Sequence, residues 1–150
     1  VAMKFPKNDK RFIKYASLII FVAFMDILVI NVIKQFWGRE RYRHMVANNN
    51  YDGFSAWFIP QGMAAGEEFK SFPSGHSANA SIIMLLALFP FKDKSLNGKV
   101  FIGVAFYTTL VQLSRIMQGA HFVSDVTMGV LIGLIIILVG VKIFKINQIE

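Results

Sequence analysis

Four long apolar runs, at residues 16–33, 76–91, 100–113 and 122–144, constrain this chain more than any other feature. Each approaches or reaches the length needed to cross the hydrocarbon core of a bilayer. Backbone polar groups in that medium must find partners inside the segment, so such runs become helices. The expected fold is all-α: an integral-membrane helical bundle with four transmembrane helices. Composition agrees, because 55% hydrophobic residues and a mean hydropathy of +0.50 are too apolar for an ordinary soluble domain of 150 residues. No internal repeat or low-complexity tract divides the chain, so residues 1–150 read as a single membrane-embedded domain.

The charges fall between the runs. Lys4, Lys7, Lys10, Arg11 and Lys14 precede the first, Lys92, Lys94 and Lys99 mark a short basic turn around Asn97-Gly98, and Lys142 and Lys145 close the fourth. The positive-inside rule puts these three regions on the cytoplasmic side and the loops 34–73 and 114–121 on the other. Yet Lys34, Arg39, Arg41, Arg43 and Arg115 lie on that other side. Their position breaks the rule unless they serve an anionic ligand.

Cysteine is absent, which excludes a disulfide framework and a thiolate metal site. No free-standing tract interleaves Arg with base-stacking aromatics, so the net charge of +7 does not point to nucleic acid. The chain begins at Val1 without a charged-apolar-cleavage pattern. Upstream residues, even whole spans, are therefore expected.

Chemistry concentrates in 114–125. His121 and Asp125 are four apart, one turn on the same helical face, and a carboxylate beside an imidazole selects which ring nitrogen keeps the proton. Arg115 adds a cation that is costly at a membrane boundary unless it meets an anion. An imidazole, its orienting acid and a guanidinium point to chemistry on a phosphate. Ser74-Gly75, before the second run, offers backbone N–H groups, a hydroxyl and a helix N-terminus to an anion.

Three stretches thus share one side: Lys34-x6-Arg41, Pro73-Ser74-Gly75-His76, and Ser114-Arg115-x5-His121-x3-Asp125. In order and spacing they resemble the K-x6-R-P, P-S-G-H and S-R-x5-H-x3-D signature of the type 2 phosphatidic acid phosphatase superfamily, integral-membrane lipid phosphatases. One position departs: Tyr42 follows Arg41 where the family usually has Pro, which would stiffen the chain there. The resemblance implies that His121 attacks phosphorus to form a phosphohistidine, that His76 is the general acid, and that Asp125 orients and charges His121. It implies that Lys34, Arg41, Ser74, Gly75 and Arg115 bind the phosphate, with Arg39 and Arg43 as auxiliary contacts, and that neither metal nor other cofactor takes part.

The implied substrate is a membrane lipid phosphate or diphosphate of the undecaprenyl diphosphate, phosphatidylglycerol phosphate or phosphatidic acid type. The implied setting is the plasma (inner) membrane, multi-pass, with the active site on the extracytoplasmic face. The chain would be the C-terminal part of a six-span fold. A lipid phosphotransferase, or a non-catalytic lipid-headgroup-binding scaffold, would use the same pocket. Simpler readings stand for other residues. Arg39 and Arg43 fit a headgroup-binding strip better than catalysis, His44 is an ordinary loop histidine, and Asp26 should face a structural partner inside the bundle. Gly129, Gly133 and Gly140 have the spacing of close helix packing.

Overall fold

The computed structural model describes residues 10–87 and 94–146, and among them the regular elements are α-helices and short 3-10 turns. The basic stretch before Lys10, the end of the second apolar run together with Lys92, and residues 147–150 lie outside the described residues. Three helices are long and apolar enough to cross a bilayer: α1 (Lys10–Trp37), α4 (Lys94–Met117) and α5 (Val123–Ile143). Between α1 and α4 lie two short ones, α2 (Tyr42–Ala47) and α3 (Gly75–Ile82).

Local sequence explains the boundaries. Free of Pro and Gly, α1 runs 28 residues, about 42 Å of helix. It stops at Gly38, whose φ of +62° is the left-handed conformation that commonly closes a helix. Gly119, at φ +60°, ends α4 in the same way. That stop lies later than the expected return loop, so Ser114 and Arg115 belong to the last turn of α4, where a cation also suits the helix dipole. At its other end α4 begins at Lys94, so Lys94, Asn97, Gly98 and Lys99 are helical rather than a turn.

The second expected span differs most. Among the described residues it is only α3, continued by a 3-10 turn over Ile83–Leu86. Its first turns carry Ser, Ala and Asn, which do not favour a lipid-facing helix, and Ser81 turns its hydroxyl back onto the Ala78 carbonyl at 2.6 Å. These small residues let α3 lie close against α5. A Cβ added at Gly129 would run into the Ser74 carbonyl, and one at Gly133 into the Ser81 hydroxyl. The glycine spacing therefore marks close packing, as expected.

Helix α5 is the central element and touches α1, α3 and α4. Leu18 and Val22 of α1 pack with Ile136, Ile137 and Val141 of α5 and with Leu85 into a buried cluster. The outward faces stay apolar, with Ile20, Phe24, Ile102, Phe106 and Leu138 exposed, as helices bounded by lipid require. This core holds the helices so that the C-terminal ends of α1 and α4, the N-terminal end of α3 and the turn before α5 border one cavity.

Candidate active site

The loop 38–73 ties the three motifs together through its backbone. The Arg41 N–H donates to the Glu68 carbonyl at 2.8 Å, and the Ser71 N–H to the Arg39 carbonyl at 2.9 Å. The Arg43 N–H donates to the Gly119 carbonyl at 2.9 Å, and the Ser74 N–H to the Asp125 carbonyl at 2.9 Å. Arg41 is the N-cap residue of α2 and Tyr42 its first helical position. Pro is favoured at that position, so Tyr42 occupies a place where Pro would be accommodated. The segment is held instead by these amide bonds and by Arg41 Nε, which donates to the Glu67 carbonyl at 3.0 Å.

The cavity measures about 340 Å³, and Lys34, Arg41, Gly75, His76, Arg115 and His121 all line it. Lys34 Nζ donates to the Lys70 carbonyl at 2.9 Å. Arg115 Nε is buried without a partner among the described residues. As the first residues of α3, Gly75 and His76 have N–H groups that no carbonyl of their own helix can reach. A cavity so lined is built for an anion.

His121 is 3% exposed, and its Nδ1 lies 2.6 Å from the Ser71 carbonyl. A carbonyl can only accept, so Nδ1 carries the proton and Nε2 keeps its lone pair. Burial first, and then the charge of Lys34, push the His121 pKa from 6.5 down to about 3. The ring is therefore neutral. Asp125 was expected to hold the ring directly, but its nearer oxygen stands 3.9 Å from Nδ1. That oxygen, Oδ2, instead accepts the Ser71 hydroxyl at 2.6 Å and the Phe122 N–H at 2.9 Å, the latter fixing the start of α5. Asp125 thus acts on His121 through Ser71.

Arg39 proves to be no headgroup contact. It is 2% exposed, paired with Asp125 Oδ1, and donates to Ser124 Oγ at 2.8 Å. Its guanidinium carbon lies 4.2 Å from the Phe122 ring centre. Ser74 is likewise outside the cavity wall. Fully buried, its hydroxyl caps α3 by accepting from the Ser77 N–H at 3.4 Å and the Ser77 hydroxyl at 3.0 Å. Arg43 does line the cavity, and its guanidinium also meets Glu68 at 3.3 Å in an exposed pair. His44, expected in a loop, lies instead in α2, where its Nδ1 bonds Glu40 at 2.6 Å.

Ser71 escaped the sequence reading. Only its place two residues before Pro73 pointed to it. Asp26 differs too: it has no structural partner among the described residues and lines the cavity.

A helical membrane protein with a polycationic pocket of this kind is the class that the fold and site define. The model of the PAP2 superfamily matches residues 15–149, and the chain belongs to that family. It is 35% identical over 113 residues to the lipid A 4'-phosphatase of Rhizobium etli, covering 73% of this chain and 42% of that protein. To phosphatidylglycerophosphatase B of Bacillus subtilis it is 38% identical over 76 residues, 47% of this chain and 37% of that one. To the lipid A 1-phosphatase of Rhizobium johnstonii it is 31% identical over 120 residues, 78% and 43%. The chain thus spans less than half the length of these relatives. No solved structure gives a significant match.

Proposed function

We propose that this protein removes a terminal phosphate from a membrane lipid phosphate or diphosphate through a phosphohistidine on His121. The observation that carries this reading is the meeting of Lys34, Arg41, His76, Arg115 and His121, drawn from three separated motifs, around one cavity. In the first step Nε2 of His121 attacks phosphorus, the bond from phosphorus to the lipid oxygen breaks, and His76 gives its proton to the departing oxygen. Lys34, Arg41 and Arg115 hold the non-bridging oxygens together with the amides of Gly75 and His76, where charge is spread in the transition state. In the second step water gives a proton to His76 and its oxygen to phosphorus. That step frees His121 and releases inorganic phosphate.

The setting in this reading is the plasma membrane, with the site on the extracytoplasmic face. A cavity bordered by helix ends suits a lipid whose tail stays in the bilayer while its phosphate reaches water. The names of the relatives support a lipid phosphate as substrate.

The test is phosphate release from a panel of lipid monophosphates and diphosphates in detergent, with and without chelator. Release that persists in chelator and disappears in His121→Ala supports the reading. A wild-type protein that binds these lipids but releases nothing refutes it in favour of a scaffold, and transfer of phosphate to an added lipid acceptor refutes hydrolysis in favour of phosphotransfer.

A further inference from the structure

Asp26 sits in the wall of the same cavity, and nothing in the proposed reaction uses it. Its side chain is 1% exposed, and neither carboxylate oxygen has a hydrogen-bond partner among the described residues. An unsatisfied carboxyl group inside a membrane-spanning helix is costly, so its place on the cavity wall calls for a ligand. Along α1 it lies eight residues before Lys34, about 12 Å further toward the membrane interior. Asp26, Ile30 and Lys34 recur every four residues and form one stripe of the wall. Asn31 and Asn79 border the same cavity, and Asn31 donates its amide to the Ile27 carbonyl at 2.7 Å, which leaves its own side-chain carbonyl open as an acceptor.

A lipid phosphate bound between Lys34 and His121 directs the rest of its body toward the membrane interior, past Asp26. The phosphate itself cannot be the partner, because two anions repel. Hydrocarbon cannot satisfy a carboxyl group either. The group that can is a hydroxyl, which donates to a carboxylate and accepts from a carboxylic acid.

We propose that Asp26, with Asn31 and Asn79 beside it, forms a head-group subsite for the hydroxyl of a glycerol or sugar unit that joins the phosphate to its tail. This subsite selects such polyol phosphates over lipids in which no free hydroxyl neighbours the phosphate. The inference rests on the phosphatase reading of the cavity.

The test compares wild type, Asp26→Asn and Asp26→Leu on phosphatidylglycerol phosphate and on phosphatidic acid with the same acyl chains. The first lipid has a free hydroxyl beside its terminal phosphate and the second has none. Asp26→Leu should lower kcat/KM for phosphatidylglycerol phosphate by about 10- to 100-fold, with Asp26→Asn between it and wild type, and both should leave phosphatidic acid unaffected. Thermal stability should not fall, since the change removes an unpaired buried group. Equal losses on both lipids, a loss of stability, or no loss on either overturns the subsite.

Should wild type release phosphate from neither lipid, the hydrolase reading fails by itself, and thermal stabilisation by the two lipids decides the subsite. Stabilisation favouring phosphatidylglycerol phosphate and lost in Asp26→Leu supports it. Equal stabilisation by the two lipids overturns it.

Discussion

Arg39 and Asp125, 86 positions apart in the chain, form an ion pair whose side chains are 3% and 0% exposed. The pair is the base on which the rest of the site stands, because Asp125 holds Ser71 and the Ser71 carbonyl holds His121. Asp125 also receives the Phe122 N–H at the start of α5. One carboxylate thereby links the loop after α1, the approach to α3 and the turn before α5.

Removing the cation of that pair leaves a buried carboxylate uncompensated, which costs about 3–5 kcal/mol. Arg43 makes the opposite case, since its partner Glu68 is 39% exposed and such pairs contribute about 0–1 kcal/mol. Thermal unfolding in detergent should therefore show a large loss for Arg39→Met and little for Arg43→Met. Similar losses in the two variants would mean that Arg39 does not serve as the counter-charge.

Arg39 and Arg41 show what a sequence can and cannot reveal here. Both are cations in one short basic cluster after α1, and only the resemblance to the K-x6-R motif singles out Arg41, which does line the cavity. That Arg39 turns inward depends on the path of the chain after Gly38, which no side-chain pattern encodes. Ser71 was harder still, because the atom that meets His121 is a backbone carbonyl that any residue would offer. The shortness of α3 followed from Ser77, Ala78 and Ser81 fitting against Gly129 and Gly133, a relation between two helices rather than within one run. That Lys34, His76, Arg115 and His121 border one cavity was legible because charge and imidazole are rare enough beside apolar runs to stand out.

Ser71 contributes two separate bonds, and substitution separates them. Ser71→Ala keeps the carbonyl that orients His121 but deletes the hydroxyl bond to Asp125, leaving a buried acceptor short of one partner at a cost of about 1–3 kcal/mol. Stability should fall by that amount, and kcat for phosphate release should drop far less than in His121→Ala, with KM unchanged. A collapse of kcat equal to that of His121→Ala would show that the hydroxyl, not the carbonyl, governs the imidazole.

The two histidines predict an asymmetric pH profile. Burial and then the nearby Lys34 charge hold His121 at about 3, so its ring is neutral throughout the ordinary range, as the proposed attack requires. His76, in a short helix outside the three spanning ones, is held below the usual histidine value by burial and then by Arg115. As the acid of the proposed first step it must be protonated, so kcat/KM should fall as pH rises, starting below 6.5, the ordinary histidine value. No histidine limb should appear on the acid side until near pH 3. A limb due to His76 disappears in His76→Gln, whereas one due to the substrate's own phosphate remains. A symmetric bell with both limbs in the histidine range would contradict the placement of His121.

Stability follows the same shift of His121. The unfolded chain takes up a proton near 6.5 that the folded one refuses until about 3, so the contribution of His121 is present above 6.5 and lost as pH falls toward 3.

Close helix approach is the remaining determinant of the site, and two glycines on α5 separate its effect on packing from its effect on chemistry. A methyl at Gly140 would stand 2.6 Å from Leu18 Cδ1, the movable end of a core side chain. A methyl at Gly129 meets the Ser74 carbonyl instead, which is backbone and belongs to the turn that presents Gly75 and His76 to the cavity. Overpacking at either place should lower stability by about 1–3 kcal/mol. Only Gly129→Ala displaces α3, and displacement of about 1 Å is enough to cost about 100-fold in rate. Matched measurements of thermal stability and kcat should therefore find two similarly destabilised variants of which Gly140→Ala keeps its turnover and Gly129→Ala loses it. Equal turnover in the pair would mean that α3 reaches its position without the contact to α5.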